Sequence, residues 1–390
     1  MEKKEKEQDF IVTPWEVKGE IDYDKLIEKF GVKRLDPSLY EALPKPLHVT
    51  LRRGLFFAHR DFDKWINAWK SKETVSIVTG RGPSGYMHIG HLIPFYFVKW
   101  LQEVTDAYLI IPFSDDEKYL VKTEKSMKEI RNYTIDNLIN ILAIGFNSKL
   151  TRIVIDTEDT IIYSLAMLIS KYINYSTVRA VYGTKFKNIG WIFYPAMQAA
   201  HLLLPQVLFG KHYTLVPVAI DQDPHTRVCR DVAERFNLYK PTTIISKFLP
   251  TLENPYGKMS TSNPDSIIWL TDSEKDVYRK IMKYAFSGGQ PTVEEHRKYG
   301  GNPWIDVSFL FLYYFFEEDD RKIEEIRENY QSGKMLTGEL KKYASQKISE
   351  FLQEFQRKRK EVESNWKDEY EKFKLRDEEK EKILDFVYSF

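Results

Sequence analysis

The residues most suggestive of chemistry in this chain are two histidines, His88 and His91, separated by Ile89 and Gly90. They follow an apolar run and a glycine-rich turn at 80–85, and they open a helical pattern. The imidazoles and the free N–H groups of the first helical turn would therefore face a ligand, and a phosphate group is favoured there. Neutral imidazoles can donate hydrogen bonds to phosphoryl oxygens without binding the ground state too tightly. Gly90 has no side chain, so it leaves a flat surface for a base.

A second string, Lys258-Met259-Ser260-Thr261-Ser262, follows the last apolar run of the α/β pattern. By itself this string is equally consistent with a surface loop that carries an exposed lysine. Paired with the histidine string, it predicts a mobile cationic arm that can follow the charge of a departing pyrophosphate. We therefore expect both strings to border one nucleotide site.

Three further polar residues are candidates for binding a small substrate. Glu117 lies in an acidic run at 115–117, which could hold a metal or cap a helix, and we favour Glu117 as the receptor for a substrate ammonium group. Gln198 lies among small and apolar residues at the start of a helical pattern. Gln222 follows an apolar strand pattern, although Pro224 nearby is equally typical of the first turn of a helix.

The elements that must position these residues alternate between short strands and longer helices, as in a doubly wound parallel sheet. Strands are predicted at 75–79, 108–112, 151–155 and 214–220, with a weaker strand at 243–246. Helices are predicted at 91–102, 126–144, 163–175, 196–209 and 225–236. Ligands of such sheets bind beyond the carboxyl ends of the strands, and both strings follow such ends.

Composition excludes several classes of protein. The chain has 390 residues, of which 43% are hydrophobic, so it can bury a large core. No run resembles a membrane span, and the charged N-terminus does not resemble a signal peptide, so we expect a soluble cytoplasmic protein. The single cysteine, Cys229, excludes internal disulfides and cysteine-based zinc sites, and no structural metal is expected. A net charge of +1 gives no global field for nucleic acid, and the basic run at 356–360 fits a solvated helix face better than RNA contact.

The pattern divides the chain into three parts. Residues 1–72 form an N-terminal extension with a strand or hairpin near 13–17, a helix at 22–30 capped by Asp22, and a packed connector at 51–57. Residues 73–274 form a Rossmann-like α/β catalytic domain with an inserted helical connective segment. Residues 275–390 form an all-α C-terminal domain of long amphipathic helices.

The two strings together resemble the signatures of class I aminoacyl-tRNA synthetases, and other segments narrow the resemblance. The segments similar to the archaeal and eukaryotic tryptophanyl-tRNA synthetases lie at 21–26, 52–54, 59–61, 79–84, 115–119, 219–224, 285–289 and 335–342. The likeness extends over roughly residues 11–365. It implies ATP-dependent formation of tryptophanyl-adenylate and transfer of tryptophan to its tRNA by a homodimer, with Mg²⁺ accompanying ATP and a C-terminal domain that reads the anticodon.

The resemblance also implies roles for individual residues. The catalytic positions are His88, His91, Lys258 and Ser260. The ATP-binding positions are Gly80, Arg81, Gly82, Gly90, Ile220, Met259 and Ser262, and the amino-acid-binding positions are Val78, Pro112, Glu117, Tyr194, Gln198 and Gln222. A segment near Pro14 and Trp15 resembles a hairpin that closes over the nucleotide.

One departure from the family pattern concerns the indole N–H group of tryptophan. Many relatives bind this group with a tyrosine and a glutamine. The matching positions here are Val78 and Pro112, whose side chains cannot accept a hydrogen bond from it. Tyr194 or Tyr86 could substitute, shape alone could select the substrate, or the substrate could differ. Loss of one buried hydrogen bond should weaken discrimination by about 1–3 kcal/mol.

Three other functions are consistent with parts of the pattern. A tyrosine-specific sister enzyme would need a partner such as an aspartate for the substrate hydroxyl, and the sequence offers no obvious one. An RNA-binding protein that kept the fold without the chemistry would not need Lys258, His88 and His91. A small nucleotidyltransferase would not need the helical C-terminal domain.

Overall fold

A computed structural model describes residues 11–12, 17–18, 22–184, 186–257, 259 and 264–390. Two short strands, β1 (Ile11–Val12) and β2 (Val17–Lys18), pair antiparallel with each other. The other strands are β3 (Lys33–Arg34), β4 (Phe56–Arg60), β5 (Val75–Val78), β6 (Tyr108–Phe113), β7 (Thr151–Ile155), β8 (Tyr213–Ala219) and β9 (Thr242–Ser246).

These seven strands form one sheet in the order β3-β4-β9-β8-β5-β6-β7. The five strands from β9 to β7 are parallel, as predicted. Their interior positions are mostly buried and apolar, with buried polar residues at Ser76, Arg152, Thr214 and Thr243. The chain leaves β5 towards β6 on one side and later returns to pair β8 with β5 on the other. The strand order therefore reverses between β5 and β8, which is where open α/β sheets bind ligands.

The sheet extends further than the sequence predicted. The predicted connector at 51–57 is instead the end of a short helix followed by β4, which pairs antiparallel with β9. The residues from Phe56 to His59 are all buried, so they lack the alternation of polar and apolar residues that marks a strand in sequence. Strands β3 and β4 both come from residues 1–72, so this segment contributes to the same sheet as residues 73–274.

Eighteen α-helices lie in the part of the chain that the structure describes. The helices of the first half are α1 (Tyr23–Phe30), α2 (Pro37–Tyr40), α3 (Val49–Arg52), α4 (Phe62–Lys70), α5 (Ile89–Thr105), α6 (Asp115–Val121), α7 (Met127–Ile144), α8 (Ile162–Ser170) and α9 (Tyr175–Tyr182). Those of the second half are α10 (Ile189–Phe209), α11 (Asp223–Ala233), α12 (Glu274–Tyr284), α13 (Val293–Tyr299), α14 (Val307–Phe311), α15 (Asp320–Gln331), α16 (Thr337–Glu363), α17 (Trp366–Glu371) and α18 (Asp377–Tyr388). Asp22 caps α1 as predicted, whereas the single helix predicted at 163–175 ends at Ser170, and Asn174 caps a separate helix.

Helix α10 is long and apolar enough to cross a membrane by length and composition alone. In the fold, 78% of its apolar 18-residue stretch is buried, because it packs against α8, α11 and the sheet. This is the position of a core helix. Its tight packing brings Tyr194 and Gln198 to the carboxyl ends of the strands.

The C-terminal helices pack on both sides of this α/β unit. Helix α16 lies against α7 and α12, and Arg359 Nη2 is 2.8 Å from Asp136 Oδ1 on α7. Helix α18 packs on α8 and α10, and a buried ion pair of 2.8 Å joins Arg152 on β7 to Glu379 on α18. The C-terminal helices thus contact helices α7, α8 and α10 and strand β7 of the α/β unit.

Candidate functional site

The histidine string lies at the N-terminus of α5, as the sequence predicted. His88 has extended backbone geometry and serves as the N-cap residue, and its N–H donates to His91 Nδ1 at 3.3 Å. The two imidazole rings stack with their centroids 3.6 Å apart. Burial, together with the charge of Arg81, lowers the pKa of His88 to about 3, so this ring is neutral at physiological pH. Neither ring nitrogen of His88 has a hydrogen-bond partner among the described residues.

Met259 and the chain around Ile268 come back to this helix. The backbone N–H of Ile89 donates to the carbonyl oxygen of Ile268 at 3.1 Å. The chain just beyond the second string, residues 258–262, which is called the lysine loop below, therefore lies against the histidine string. Met259, within the loop, borders one cavity together with His88, Gly90 and His91. This cavity, of about 150 Å³, is called the histidine cavity below.

A second cavity of about 300 Å³ adjoins the first and shares Gly90 and His91 with it. It lies beyond the ends of β5, β6 and β8 and is bordered by Gly80, Arg81 and Gly82, so it is called the glycine-loop cavity below. A β-carbon on Gly80 would lie 2.8 Å from the carbonyl oxygen of Pro112. The loop can therefore approach the end of β6 only because this position has no side chain.

Arg81 supplies the main positive charge of the glycine-loop cavity. Its Nε donates to Asn137 Oδ1 at 2.8 Å, and burial lowers its pKa to about 10, which still leaves it charged at neutral pH. Among the described residues, no carboxylate forms an ion pair with Arg81. A desolvated cation without a counterion is costly, so this arrangement favours an anionic ligand.

The predicted amino-acid-binding residues converge on the same cavity, with one exception. Its border includes Val78, Pro112, Tyr194, Gln198 and Gln222. Tyr194 is buried, and its hydroxyl donates to Ser114 Oγ at 3.3 Å. Burial and the nearby charge of Glu117 raise the pKa of Tyr194 well above its usual value, so the phenol stays protonated.

The exception is Glu117, which is buried but does not border the cavity. Its Oε2 lies 2.5 Å from Lys118 Nζ, and Lys118 does border the cavity, where its side chain covers Gly82. An incoming ammonium group would have to replace Lys118 to reach Glu117. The proposed role of Glu117 therefore stays a prediction, with Lys118 as a competing cation that the sequence did not reveal.

Several other predicted residues lie elsewhere or outside the described part. Tyr86 is 56% exposed and packs edge-to-face on Tyr133, so it does not border either cavity. Ile220 is fully buried in a core cluster with Leu26 and Ile245 rather than in a cavity wall. Lys258, Ser260 and Ser262 lie outside the described residues, as do Pro14 and Trp15 of the predicted hairpin.

A buried polar network behind α6 was not predicted. The hydroxyl of Tyr163 donates to Asp116 Oδ2 at 2.8 Å, and His201 Nε2 lies 2.7 Å from Asp156 Oδ1. Burial and the neighbouring Asp156 raise the pKa of Asp116 to about 7, while burial lowers that of His201 to about 4. Both shifts favour the neutral forms, which lowers the cost of burying these side chains.

His225, to which the sequence assigned no role, borders the glycine-loop cavity at the start of α11. Its Nδ1 lies 2.8 Å from the hydroxyl of Tyr182, and burial lowers its pKa to about 3. The sequence predicts that residues 221–225 face the cleft, but nothing in the local pattern identified the tyrosine 43 residues away as the partner of His225.

Two carboxylates of the acidic run at 115–117 accept hydrogen bonds from hydroxyl groups of the chain. Asp115 Oδ2 accepts from the hydroxyl of Thr157, and Asp116 accepts from Tyr163. Within the described residues, no group of three histidine, cysteine, aspartate or glutamate side chains is placed to hold a metal ion.

Comparisons with known proteins agree on the family. The sequence model of the family of class I tRNA synthetases for tryptophan and tyrosine matches residues 70–353 of this chain. A tryptophan–tRNA ligase of Saccharolobus solfataricus is 52% identical over 91% of this chain and 93% of its own length. That of Pyrococcus furiosus is 45% identical over 92% of this chain and 93% of its own length.

Solved structures give the same result. The tryptophanyl-tRNA synthetase from Giardia lamblia superposes with a TM-score of 0.84 at 32% identity, over 91% of this chain and 96% of that one. Its counterpart from Encephalitozoon cuniculi, bound to tryptophan, gives a TM-score of 0.82 at 35% identity, over 91% and 98% of the two chains. This chain therefore belongs to the class I tRNA synthetases for tryptophan and tyrosine, in the tryptophanyl-tRNA synthetase branch.

Proposed function

We propose that this protein activates L-tryptophan with ATP and transfers it to the 3′ end of tRNA(Trp). In the first step a carboxylate oxygen of tryptophan attacks the α-phosphorus of ATP. The new P–O bond forms as the bond from that phosphorus to the bridging oxygen breaks, and pyrophosphate leaves. In the second step a hydroxyl of the terminal ribose attacks the carbonyl carbon of the adenylate, and AMP leaves.

The observation that carries this proposal is the charge balance of the two adjoining cavities. Arg81 borders the glycine-loop cavity without a carboxylate partner, and no aspartate or glutamate of the described chain borders either cavity. Lys247 also borders the histidine cavity and forms no ion pair with a described carboxylate. The described chain thus offers two cations, two imidazoles and the first turn of a helix to one anionic ligand. A nucleoside triphosphate matches that chemistry.

The first step needs positioning and charge stabilisation rather than an acid and a base. The attacking carboxylate is already ionised, so the chain must align it with the α-phosphorus and neutralise the charge that develops. We assign His88 and His91 to hydrogen bonds with phosphoryl oxygens, Arg81 to a phosphate contact, and Lys258 with Ser260 to the departing pyrophosphate. Gly80, Gly82, Gly90, Met259 and Ser262 would shape the ATP site, with Ile220 supporting it from the core.

Selection of tryptophan is assigned to the glycine-loop cavity. Val78, Pro112 and Val216 give this cavity apolar walls. The buried hydroxyl of Tyr194 would accept a hydrogen bond from the indole N–H while it donates one to Ser114. Gln198, Gln222 and Glu117 would bind the amino and carboxylate groups. The tyrosine-specific alternative is not favoured, since the curated relatives described above are tryptophan–tRNA ligases.

The remaining partners follow from this assignment. Mg²⁺ would enter on the phosphates of ATP as part of the substrate. The helices of residues 275–390 would bind the anticodon region of the tRNA, and a homodimer in the cytoplasm is the expected form.

ATP–pyrophosphate exchange, measured separately with each of the twenty amino acids, tests the proposal. We expect exchange with tryptophan alone. Exchange with tyrosine instead would refute the specificity, and no exchange with any amino acid would favour a protein that has kept the fold without the chemistry.

A further inference from the structure

The side-chain amide of Asn137 ties the glycine-rich turn to helix α7. Its Oδ1 accepts from Arg81 Nε at 2.8 Å, and its Nδ2 donates to the carbonyl oxygen of Gly85 at 3.0 Å and to that of Tyr133 at 2.8 Å. Asn137 itself is fully buried. One amide thus holds both a side chain near the start of the turn and the backbone at its end.

The chemical type of this partner matters as much as its position. A buried guanidinium is usually matched by a carboxylate, as Arg152 is by Glu379 in the same fold. Arg81, which is half-buried, is instead matched by a neutral amide that bonds only its Nε. Its two Nη groups make no hydrogen bond to the described residues and stay available to a ligand, and the charge of the guanidinium is not neutralised.

We propose that Asn137 is a positioning residue for phosphate binding. It fixes the direction of the Arg81 guanidinium at the glycine-loop cavity and leaves the positive charge of that group for an anion. The identity of the anion, the phosphates of ATP, rests on the proposed function. The orienting of Arg81 by a neutral partner does not depend on it.

A merely structural role for Asn137 makes a different prediction. If the amide only stabilised the packing of α7 on the turn, its loss would lower the thermal stability. It would also lower the apparent kcat through the smaller folded fraction, while the KM values would stay unchanged. If it acts through Arg81, its loss should appear in the affinity for ATP and should disappear once Arg81 is removed.

The experiment compares Asn137→Ala and Asn137→Asp in the wild-type and Arg81→Ala backgrounds. Asn137→Ala should raise the KM for ATP about tenfold in exchange assays, because one buried hydrogen bond that orients the cation is lost. Asn137→Asp has almost the same shape but places a carboxylate on Arg81, so it should raise the KM further than alanine does. In the Arg81→Ala background, each substitution should change the KM for ATP by less than twofold from the value of the Arg81→Ala protein.

A matched control is Asn140→Ala, which removes a buried amide from the same helix. Asn140 Oδ1 accepts from Arg359 Nε at 3.0 Å, away from the glycine-rich turn. This variant should shift the melting temperature while leaving the KM for ATP within about twofold of the wild-type value.

Three results would overturn the proposal. They are an unchanged KM for ATP in both Asn137 variants, an increase confined to the KM for tryptophan, and equal losses in the presence and absence of Arg81. If the wild-type protein shows no tryptophan-dependent exchange, the proposed function fails. Calorimetric titration with ATP and with inorganic pyrophosphate then tests the positioning role separately, with weaker binding in the aspartate variant as the expected result.

Discussion

The sulfur of Met259 lies 2.7 Å from the point where a β-carbon on Gly90 would be. The first turn of α5 and Met259 therefore touch at a position where no side chain separates them. This contact brings Gly90 and Met259, about 170 residues apart in the sequence, to one cavity wall.

Substitution of Gly90 should disturb this contact more than it disturbs the fold. In Gly90→Ala the new methyl group would collide with Met259 Sδ and approach the ring of His88 to 3.1 Å. Because the thioether can move, we expect little change in melting temperature but a weaker ATP site, by about 1–3 kcal/mol. Exchange assays at varied ATP concentration measure this.

Gly338→Ala is the matched control, because Gly338 is also the second residue of its helix and a β-carbon there meets nothing within 4 Å. It should keep the KM for ATP and raise stability by up to about 1 kcal/mol. Equal KM values in the two variants would show that the close approach at Gly90 does not serve the site.

Lys258→Ala should lower the rate of adenylate formation with little effect on amino-acid binding. The expected increase in the barrier is about 2–4 kcal/mol, since the lysine would act on charge that develops in the transition state. Pre-steady-state measurement of adenylate formation and equilibrium binding of tryptophan separate the two effects. Lys298→Ala, an exposed lysine on α13, serves as the control. Equal losses in rate and binding would mean that the role of Lys258 is misassigned.

Tyr194→Phe should weaken the recognition of tryptophan by about 1–3 kcal/mol in kcat/KM, because the indole N–H would lose its acceptor. An analogue in which sulfur replaces the indole nitrogen should be a poor substrate for the wild-type protein and should lose nothing further in the variant. Tyr86→Phe, at an exposed ring outside the cavity, should behave as wild type. A Tyr194→Phe variant with unchanged tryptophan kinetics would leave shape as the basis of selection.

His48 should make the fold less stable as the pH falls. Burial and the charge of Arg52 lower the pKa of His48 to about 4, so the folded chain takes up this proton later than the unfolded chain does. Unfolding is then accompanied by proton uptake between about pH 6.5 and 4, and the free energy of unfolding decreases through that window.

The variant His48→Asn removes this group and can still accept from the N–H of Thr50, as His48 Nδ1 does at 3.3 Å. Urea unfolding measures the decrease in the free energy of unfolding between pH 7 and pH 5. This decrease should be smaller in the variant by about 1–2 kcal/mol, a range that takes the partial exposure of the His48 ring into account. An identical loss in both proteins would mean that His48 titrates normally in the fold.

Local patterns were enough to predict the parallel strands and the helix that starts after His88. Each of these depends on residues close together in the chain: an apolar run, a glycine-rich turn and a capping position. Strand β4 was missed because both of its faces are buried, so its sequence has no period of two. The split between α8 and α9 was missed because its capping residue, Asn174, was not recognised.

The family pattern named several residues that border the glycine-loop cavity, such as Tyr194 and Gln198, but it did not predict the partners that tertiary packing selects. Asn137 is one of several asparagines on α7, and only the folded chain shows that it faces Arg81. The pairing of Lys118 with Glu117 and that of Asp156 with His201 depend in the same way on side-chain direction and on burial, which spacing does not specify. Tyr194 could be separated from Tyr86 only once their exposures were known.

The central claim is that a nucleoside triphosphate lies across the carboxyl ends of β5 and β8, between the histidine string and the lysine loop. A crystal structure of the protein with a non-hydrolysable ATP analogue and tryptophan tests it most directly. We expect phosphates within hydrogen-bond distance of His88 or His91 and of Arg81, with the loop around Met259 closed over them. A nucleotide bound elsewhere, with these side chains facing only solvent, would contradict it.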